Sequence, residues 1–178
     1  MTELIVPTAR LHASWLEARD EWAPGVRMDG HGVREGDILE AAADFTAWVE
    51  RLRDAETTAI PFGDGPVLCT YRWIVEGDRY LGAVALRHSL NELLLNMGGH
   101  IGYGIRPSAR RRGLASWALS RTLETARTLG LDRVLVTCRP DNIASARTIE
   151  KHGGVYEDTR TTGPDTVKRY WITLTADR

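Results

Sequence analysis

The stretch His100-Ile101-Gly102-Tyr103-Gly104-Ile105-Arg106-Pro107-Ser108-Ala109-Arg110-Arg111-Arg112-Gly113-Leu114-Ala115 decides the fold of this chain. It is typical of a β-strand, a proline-containing turn, a loop rich in arginine and glycine, and the first turn of a helix. A helix start leaves several backbone N–H groups without partners inside the helix, and the helix dipole favours negative charge there. The pattern therefore predicts a binding site for a phosphate-bearing ligand.

The residue types in this loop suit phosphate binding in separate ways. Gly113 has no side chain, so a ligand can approach the backbone closely, and Ala115 is small enough to keep the helix start near the strand. Pro107 sets the turn, and the arginines at 110–112 add positive charge. The alternative is a solvated basic turn at the start of a surface helix.

Two common phosphate-binding motifs are excluded. The chain contains no Gly-Lys-Ser/Thr, so the loop is not a Walker loop. Gly102 and Gly104 lie within the strand and not after it, which separates the stretch from a dinucleotide-binding fingerprint.

Composition bounds the class of protein. The 178 residues are 43% hydrophobic and 26% charged with a formal net charge of -1, as in an ordinary globular domain spanning residues 1–178. A net charge this close to zero gives no overall electrostatic potential that would attract nucleic acid. No apolar run approaches the ~18 residues of a membrane-spanning helix. Residues 1–7 are too short and acidic for a signal peptide, and Cys69 and Cys138 fit no metal-binding spacing. We therefore expect a cytoplasmic protein without metal, nucleic-acid partner or membrane anchor.

The segments on either side of the loop predict an α/β (α+β) domain with a mixed central sheet flanked by helices. On the N-terminal side the pattern predicts helices at 9–22 and 36–55, a connector at 57–66, strands at 67–75 and 80–87, and a loop at 91–99. From there it predicts a strand at 100–105, a helix at 112–129 and a strand at 133–138. A short helix follows, which is capped by Asp141 or Asn142 and ends at Gly153-Gly154. A closing hairpin is predicted from strands at 155–158 and 167–175 around a turn at 161–165.

Two motifs carry a family resemblance. Arg110-Arg111-Arg112-Gly113-Leu114-Ala115 resembles the Gln/Arg-x-x-Gly-x-Gly/Ala pattern of motif A in the GNAT acyl-CoA-dependent N-acetyltransferases. Asn142-Ile143-Ala144-Ser145-Ala146-Arg147-Thr148-Ile149-Glu150-Lys151-His152-Gly153 resembles the Asn-x-x-Ser/Ala…Glu-Lys-x-Gly helix of the same family. Together they cover residues 98–157. The Asn-x-x-Ser form is most similar to the branch that acetylates ribosomal-protein N-termini, and residues 86–91 and 98–103 resemble an uncharacterised subgroup of predicted acetyltransferases.

The resemblance implies direct acetyl transfer from acetyl-CoA with no covalent enzyme intermediate. It places the pyrophosphate on the loop amides and the pantetheine arm along a strand edge, in a V-shaped splay between the strands at 100–105 and 133–138. A backbone N–H of the strand at 100–105 would polarise the thioester carbonyl. The implied cofactor-binding residues are Tyr103, Ile105, Arg110, Arg111, Arg112, Gly113, Leu114, Ala115 and Asn142.

His100 is the candidate for the general base. Related sequences often carry Glu at this place on the strand, and an imidazole titrates near neutral pH. His100 shares a strand face with Gly102 and Gly104, which predicts a groove beside the imidazole. The alternative is a structural histidine that anchors the loop before the strand, and His88 is the next candidate.

The general acid is where the sequence departs from the family. Many members place a Tyr seven residues after the Asn of the second motif, and this chain has Ile149 there, which cannot donate a proton. Ser145 lies one turn earlier on the same helix face as Asn142 and is the candidate to hydrogen-bond the sulfur or to order a water. The alternative is that Ser145 only packs near the helix cap. Cys138 is expected to be a buried, inert thiol.

These features predict an acetyl-CoA-dependent N-acetyltransferase that acts on a primary amine of a small molecule or peptide. The alternative is a non-catalytic acyl-CoA-binding module with the same fold. The residues leave the acceptor undefined and admit either a monomer or a homodimer.

Overall fold

The computed structural model describes residues 1–174, which form a seven-stranded sheet with helices on both faces. The strands are β1 Thr2–Ile5, β2 Ile60–Phe62, β3 Gly65–Val67, β4 Cys69–Glu76, β5 Arg79–Arg87, β6 Ile101–Ile105, β7 Arg133–Cys138, β8 Val155–Thr162 and β9 Asp165–Thr173. The α-helices are α1 His12–Asp20, α2 Ala42–Asp54, α3 Leu114–Thr128 and α4 Ile143–Lys151, with short 3-10 helices at Ala9–Leu11 and Pro107–Ala109 and a π-helix at Leu94–Gly98.

The large sheet has the strand order β1-β4-β5-β6-β7-β9-β8. β6 and β7 run parallel, while the other neighbouring strands of this sheet run antiparallel. β2 and β3 form a separate small hairpin. The predicted mixed α/β sheet with flanking helices is confirmed.

Two hydrophobic clusters cover the two faces of this sheet. The first packs α3 and α4 against residues such as Val84, Ile101 and Val136. The second packs α1 and α2 against Trp73 and Ala83. Aromatic side chains dominate the second cluster, where the Trp48 ring lies 5.0 Å from the Trp15 ring and 5.2 Å from the Phe45 ring. The site described below lies between these layers, where the sheet opens.

The helix predicted at 36–55 begins later than expected, at Ala42. Leu39 is buried in the second cluster although its backbone is not helical, whereas Ile38 is 70% exposed. The carboxylate of Asp37 accepts hydrogen bonds from the backbone N–H of Arg34 and from Arg51 of α2, which holds this segment against the helix. A buried residue before a helix can thus continue the helical spacing without being helical.

Other predicted elements differ at their ends. The N-terminal strand β1 was not predicted, and the connector at 57–66 contains β2 and part of β3. The loop at 91–99 contains the π-helix, and the helix predicted at 9–22 is a 3-10 turn followed by α1. The closing hairpin is confirmed with a longer first strand, and Thr175 lies outside the described residues. None of the helices in residues 1–174 is long and apolar enough to cross a bilayer.

Candidate active site

The gap between β6 and β7 defines the site. The two parallel strands share one registered pair, Ile101 with Val136, and then separate. On the other side of β6, the backbone N–H of Arg87 donates to the carbonyl of His100 and that of Arg106 to the carbonyl of Leu81. Along an antiparallel strand, every second residue hydrogen-bonds to one neighbouring strand, and the residues between them direct their N–H and C=O groups to the opposite side. The backbone groups of Tyr103 and Ile105 therefore face the gap.

The turn after β6 is anchored from a distant part of the chain. Arg106 is 4% exposed, and its guanidinium donates to the carboxylate of Glu21, the residue that follows α1, and to the carbonyl of Tyr80. The same carboxylate accepts the backbone N–H and the hydroxyl of Ser108 at 2.8 and 2.9 Å. The hydrogen bonds from Arg106 and Ser108 lower the pKa of Glu21 to about 2. This ion pair fixes the start of the loop.

The loop itself presents unpaired donors. Arg111 and Gly113 have φ values of 62° and 77°, which place both residues in the left-handed conformation just before α3. No side chain caps α3, and no acceptor within residues 1–174 bonds the N–H groups of residues 111–116. A Cβ on Gly113 would meet no protein atom within 4 Å, so the space beside it is open. This arrangement matches an anion site at a helix start.

The three loop arginines do not act alike. The Arg110 guanidinium donates to the carbonyl of Ile105 at 3.1 Å and lies 4.9 Å over the Trp22 ring. The Arg112 guanidinium pairs with the carboxylate of Glu76 at 2.6 Å. All three arginines are exposed, but Arg110 and Arg112 brace the loop against the protein, whereas Arg111 makes no side-chain hydrogen bond or ion pair within residues 1–174. The protein thus holds two of the three guanidinium groups in place, and the contribution of all three arginines to ligand binding stays a prediction.

Two hydroxyl groups meet across the gap. The Tyr103 hydroxyl of β6 lies 2.8 Å from the Ser145 hydroxyl of α4. Burial raises the pKa of Tyr103 to about 12, so its hydroxyl keeps its proton at neutral pH. Asn142 caps α4 as predicted, since its side-chain oxygen accepts the backbone N–H of Ser145 at 3.1 Å. The Cys138 thiol lies close by, is buried, and has its pKa raised by that burial.

His100 has a structural hydrogen bond that was not expected. The ring Nδ1 of His100 accepts the backbone N–H of Leu135 at 2.9 Å. The backbone N–H of His100 donates to the carbonyl of Leu135. The neutral ring therefore carries its proton on Nε2. Burial first, and then the charges of Arg87 and Arg133, lower the pKa of His100 to about 4. This geometry does not support the predicted base role, because the one lone pair of the neutral ring is already used.

The groove predicted beside Gly102 and Gly104 is filled by the loop between α1 and α2. A Cβ on Gly104 would lie 2.7 Å from the ring of His31 and 2.8 Å from the carbonyl of Asp29. A Cβ on Gly30 would lie 2.5 Å from the carbonyl of Gly102. Gly104 of β6 and Gly30 of the loop are thus needed for this contact between segments some 70 residues apart.

That loop brings in a residue that the sequence did not single out. Asp29 has an exposed side chain, and no hydrogen bond or ion pair engages its carboxylate among residues 1–174. Desolvation nevertheless raises its pKa, against the opposing charges of Arg27, Arg87 and Arg139. The only sequence signal of Asp29 is an Asp-Gly-His run in a loop.

Comparison with known proteins identifies the family of the chain. The acetyltransferase (GNAT) domain family matches residues 40–155. No curated protein sequence gives a significant match. The described residues contain no cluster of His, Cys, Asp or Glu that could hold a metal ion.

Solved structures share the fold at low sequence identity. Mycobacterium smegmatis RimJ in complex with CoA-disulfide is 19% identical, with a TM-score of 0.68 over 97% of this chain and 81% of its own. A Salmonella typhimurium acetyltransferase that modifies the N-terminal serine of a 50S ribosomal subunit protein is 15% identical, with a TM-score of 0.66 over 98% and 95%. The yncA protein of Salmonella typhimurium with its cofactor acetyl-CoA is 14% identical, with a TM-score of 0.61 over 98% and 94%.

Proposed function

The chain belongs to the GNAT acetyltransferase family, whose reaction is acetyl transfer from acetyl-CoA, and we propose that its acceptor is a primary amine of a peptide or small molecule. The observation that carries this proposal is the continuity of two binding surfaces. The unpaired N–H groups of residues 111–116 lead directly to the unpaired strand edge at Tyr103 and Ile105. A ligand with a phosphate group at one end and a thioester on a flexible arm fits that path.

The loop and the strand edge have separate binding tasks. The N–H groups of residues 111–116 hold the pyrophosphate by hydrogen bonds and by the dipole of α3. The N–H and C=O of Tyr103 and the N–H of Ile105 are available to amide groups of the pantetheine arm, whereas the carbonyl of Ile105 already accepts from Arg110. The side-chain amide nitrogen of Asn142 is a further donor at the mouth of the gap.

The chemistry is a direct exchange of bonds at the thioester carbonyl. The amine nitrogen forms a bond to the carbonyl carbon while the carbon–sulfur bond breaks. A backbone N–H of β6 stabilises the negative charge that develops on the carbonyl oxygen. The paired hydroxyls of Tyr103 and Ser145 donate a hydrogen bond toward the leaving sulfur. The nitrogen loses a proton as it becomes the amide, and the sulfur takes up a proton and leaves as the free thiol.

The acceptor class follows from two considerations. Structural neighbours include a protein that modifies an N-terminal serine. An α-amino group has a pKa of about 8, so it loses its proton more readily near neutral pH than a lysine side chain with a pKa of about 10.4. A peptide N-terminus is thus the first acceptor to test. We infer a cytoplasmic location from the two cysteines, Cys69 and Cys138, which are both buried and free.

The test is release of CoA thiol from acetyl-CoA in the presence of peptides with different N-terminal residues and of small amines. Acetylation should be confirmed by the mass of the product. An active wild type excludes the alternative of a non-catalytic acyl-CoA-binding module. Saturable CoA binding without transfer to any member of the panel would instead favour that alternative.

The loop assignment has its own matched pair of variants. Gly113→Asn and Gly113→Asp both add a side chain that tolerates a positive φ and caps helices well, and they differ in charge. The carboxylate should raise the CoA dissociation constant at least about tenfold over that of Gly113→Asn, which is about 1.4 kcal/mol. Calorimetric titration with CoA measures this. Equal affinities in the two folded variants would contradict phosphate binding at this loop.

A further inference from the structure

We propose that the carboxylate of Asp29 binds the ammonium group of the acceptor and takes the proton that the amine must lose before it attacks the thioester. This inference rests on the proposed function and adds to it a base on the acceptor side of the gap. It concerns a residue in the loop between α1 and α2, outside both motifs of the sequence.

The backbone places Asp29 directly on β6. Its carbonyl comes within 2.8 Å of the position that a Cβ on Gly104 would take, and the N–H of Gly30 within 3.4 Å of the same position on Gly102. The loop thus lies on the strand whose backbone polarises the thioester. The negative charge of Asp29 is also among the causes that raise the pKa of the Tyr103 hydroxyl.

The loop is held rigidly enough to position a reacting group. The His31 ring is fully buried, and its Nδ1 donates to the carbonyl of Asp29 at 2.9 Å. Burial lowers the pKa of His31 to about 4, so the ring stays neutral. One residue later, the carbonyl of Gly32 accepts the indole N–H of Trp48 at 3.2 Å.

Other candidate bases near the gap are engaged. The Nδ1 of His100 accepts from Leu135, and the carboxylate of Asp141 pairs with Arg139. The carboxylates of Glu157 and Asp158 pair with Arg169. Asp29 differs from them in that no group within residues 1–174 occupies its oxygens.

The charges around Asp29 act on its pKa in the opposite direction to its desolvation. Arg27, Arg87 and Arg139 favour the ionised carboxylate, while desolvation opposes it, and the net effect is a raised pKa. A carboxylate that is ionised but poorly solvated is a stronger base than one in water. The proton of the ammonium passes to the carboxylate, the freed lone pair forms the N–C bond, and Asp29 later returns the proton to solvent.

The test compares Asp29→Asn with the wild type and with Asp132→Asn over pH 6 to 9. Asp132 is an exposed carboxylate before β7, at the opposite end of that strand from the gap, and makes no side-chain hydrogen bond within the described chain. The probe is a tripeptide beginning with serine, followed by thiol release at saturating acetyl-CoA. At pH 6.5 we expect turnover by Asp29→Asn to fall about 10²-fold or more, with CoA affinity and melting temperature unchanged.

The pH dependence separates a base from a structural residue. Without the carboxylate only neutral amine reacts, so the ratio of wild-type to variant rate should shrink about tenfold per pH unit up to the amine pKa of about 8. Asp29→Glu should recover part of the lost rate. A uniform loss at every pH, or no loss, overturns the proposal, as does an equal loss in Asp132→Asn.

Failure of the proposed function is a different result. If the wild type does not acetylate the tripeptide, the proposed acceptor class fails, and binding of the tripeptide to the CoA complex decides the role of Asp29. Binding weakened at least about tenfold by Asp29→Asn supports an ammonium site. Equal binding to both proteins, or binding to neither, overturns it.

Discussion

The ion pair between Glu21 and Arg106 should stabilise the whole domain and not only the loop that it anchors. Glu21→Gln is the sharpest perturbation, because the amide keeps the size of the side chain and removes its charge and one acceptor oxygen. The Arg106 guanidinium, which is 4% exposed, would remain buried without a counter-charge. The backbone N–H of Ser108 would compete for the one remaining acceptor.

The magnitude follows from the titration of the carboxylate. Its pKa falls from 4.5 to about 2 on folding. At 1.36 kcal/mol per unit, this is a contribution of about 3 kcal/mol to the free energy of unfolding at neutral pH. Removing one partner of a buried pair generally costs about 3–5 kcal/mol, which agrees. For a domain of this size the melting temperature should fall by about 6–12 °C.

Urea unfolding of wild type, Glu21→Gln and Asp20→Asn measures the effect. Asp20 makes a surface ion pair with Arg19, so its variant should lose about 1 kcal/mol or less. The contribution of a carboxylate with a depressed pKa is complete above the unfolded pKa and is lost as the pH falls through the folded pKa. The difference in free energy of unfolding between wild type and Glu21→Gln should therefore decrease by about 1 kcal/mol from pH 7 to pH 3.5. The reasoning would be refuted if Glu21→Gln lost less than about 1 kcal/mol of unfolding free energy at pH 7, or if its difference from the wild type did not change with pH.

Two further predictions concern the gap between β6 and β7. Tyr103→Phe and Ser145→Ala should each lower turnover about 10-fold or more while CoA affinity stays the same, and the double variant should be little worse than either one if the hydroxyls act as a unit. The control is Thr148→Ala, which removes a hydroxyl that donates only to the carbonyl of Ala144 in the same helix. Additive losses of turnover in the double variant would argue against the pair. His100→Ala should lose about 1–3 kcal/mol of stability by leaving the Leu135 N–H unpaired, whereas His100→Asn presents an oxygen near the place of Nδ1 and should retain most of the stability and activity. Loss of turnover in a stable His100→Asn protein would restore the base role of this histidine.

Features that depend on neighbouring residues were predictable from the sequence. Gly113 marks a left-handed turn before α3, and Asn142 caps α4, because both effects are set within a few residues of chain. The strand order around the loop was also accessible, since a buried strand followed by an amphipathic helix and another buried strand predicts a parallel pair.

Features that depend on distant segments were not predictable. The expected groove beside Gly104 is absent because residues 29–31 pack there, and no local pattern ties that loop to β6. Arg110 and Arg112 resemble free phosphate ligands in sequence, yet Trp22 and Glu76 engage them. The hydrogen bond of His100 to Leu135 likewise depends on a neighbouring strand 35 residues away.

The glycines of β6 connect these observations. Glycine in a strand costs about 0.5–1 kcal/mol relative to alanine, so two of them in five residues need a compensating contact. That contact is the loop carrying Asp29 and His31, which lies closer to β6 than a side chain on Gly104 would allow. The opposite face of the strand carries the Tyr103 side chain, and its open edge carries the backbone groups of Tyr103 and Ile105. One short strand therefore brings a binding edge and a hydroxyl donor to the gap, and the glycine at position 104 lets the loop that carries Asp29, the proposed base, lie against the same strand.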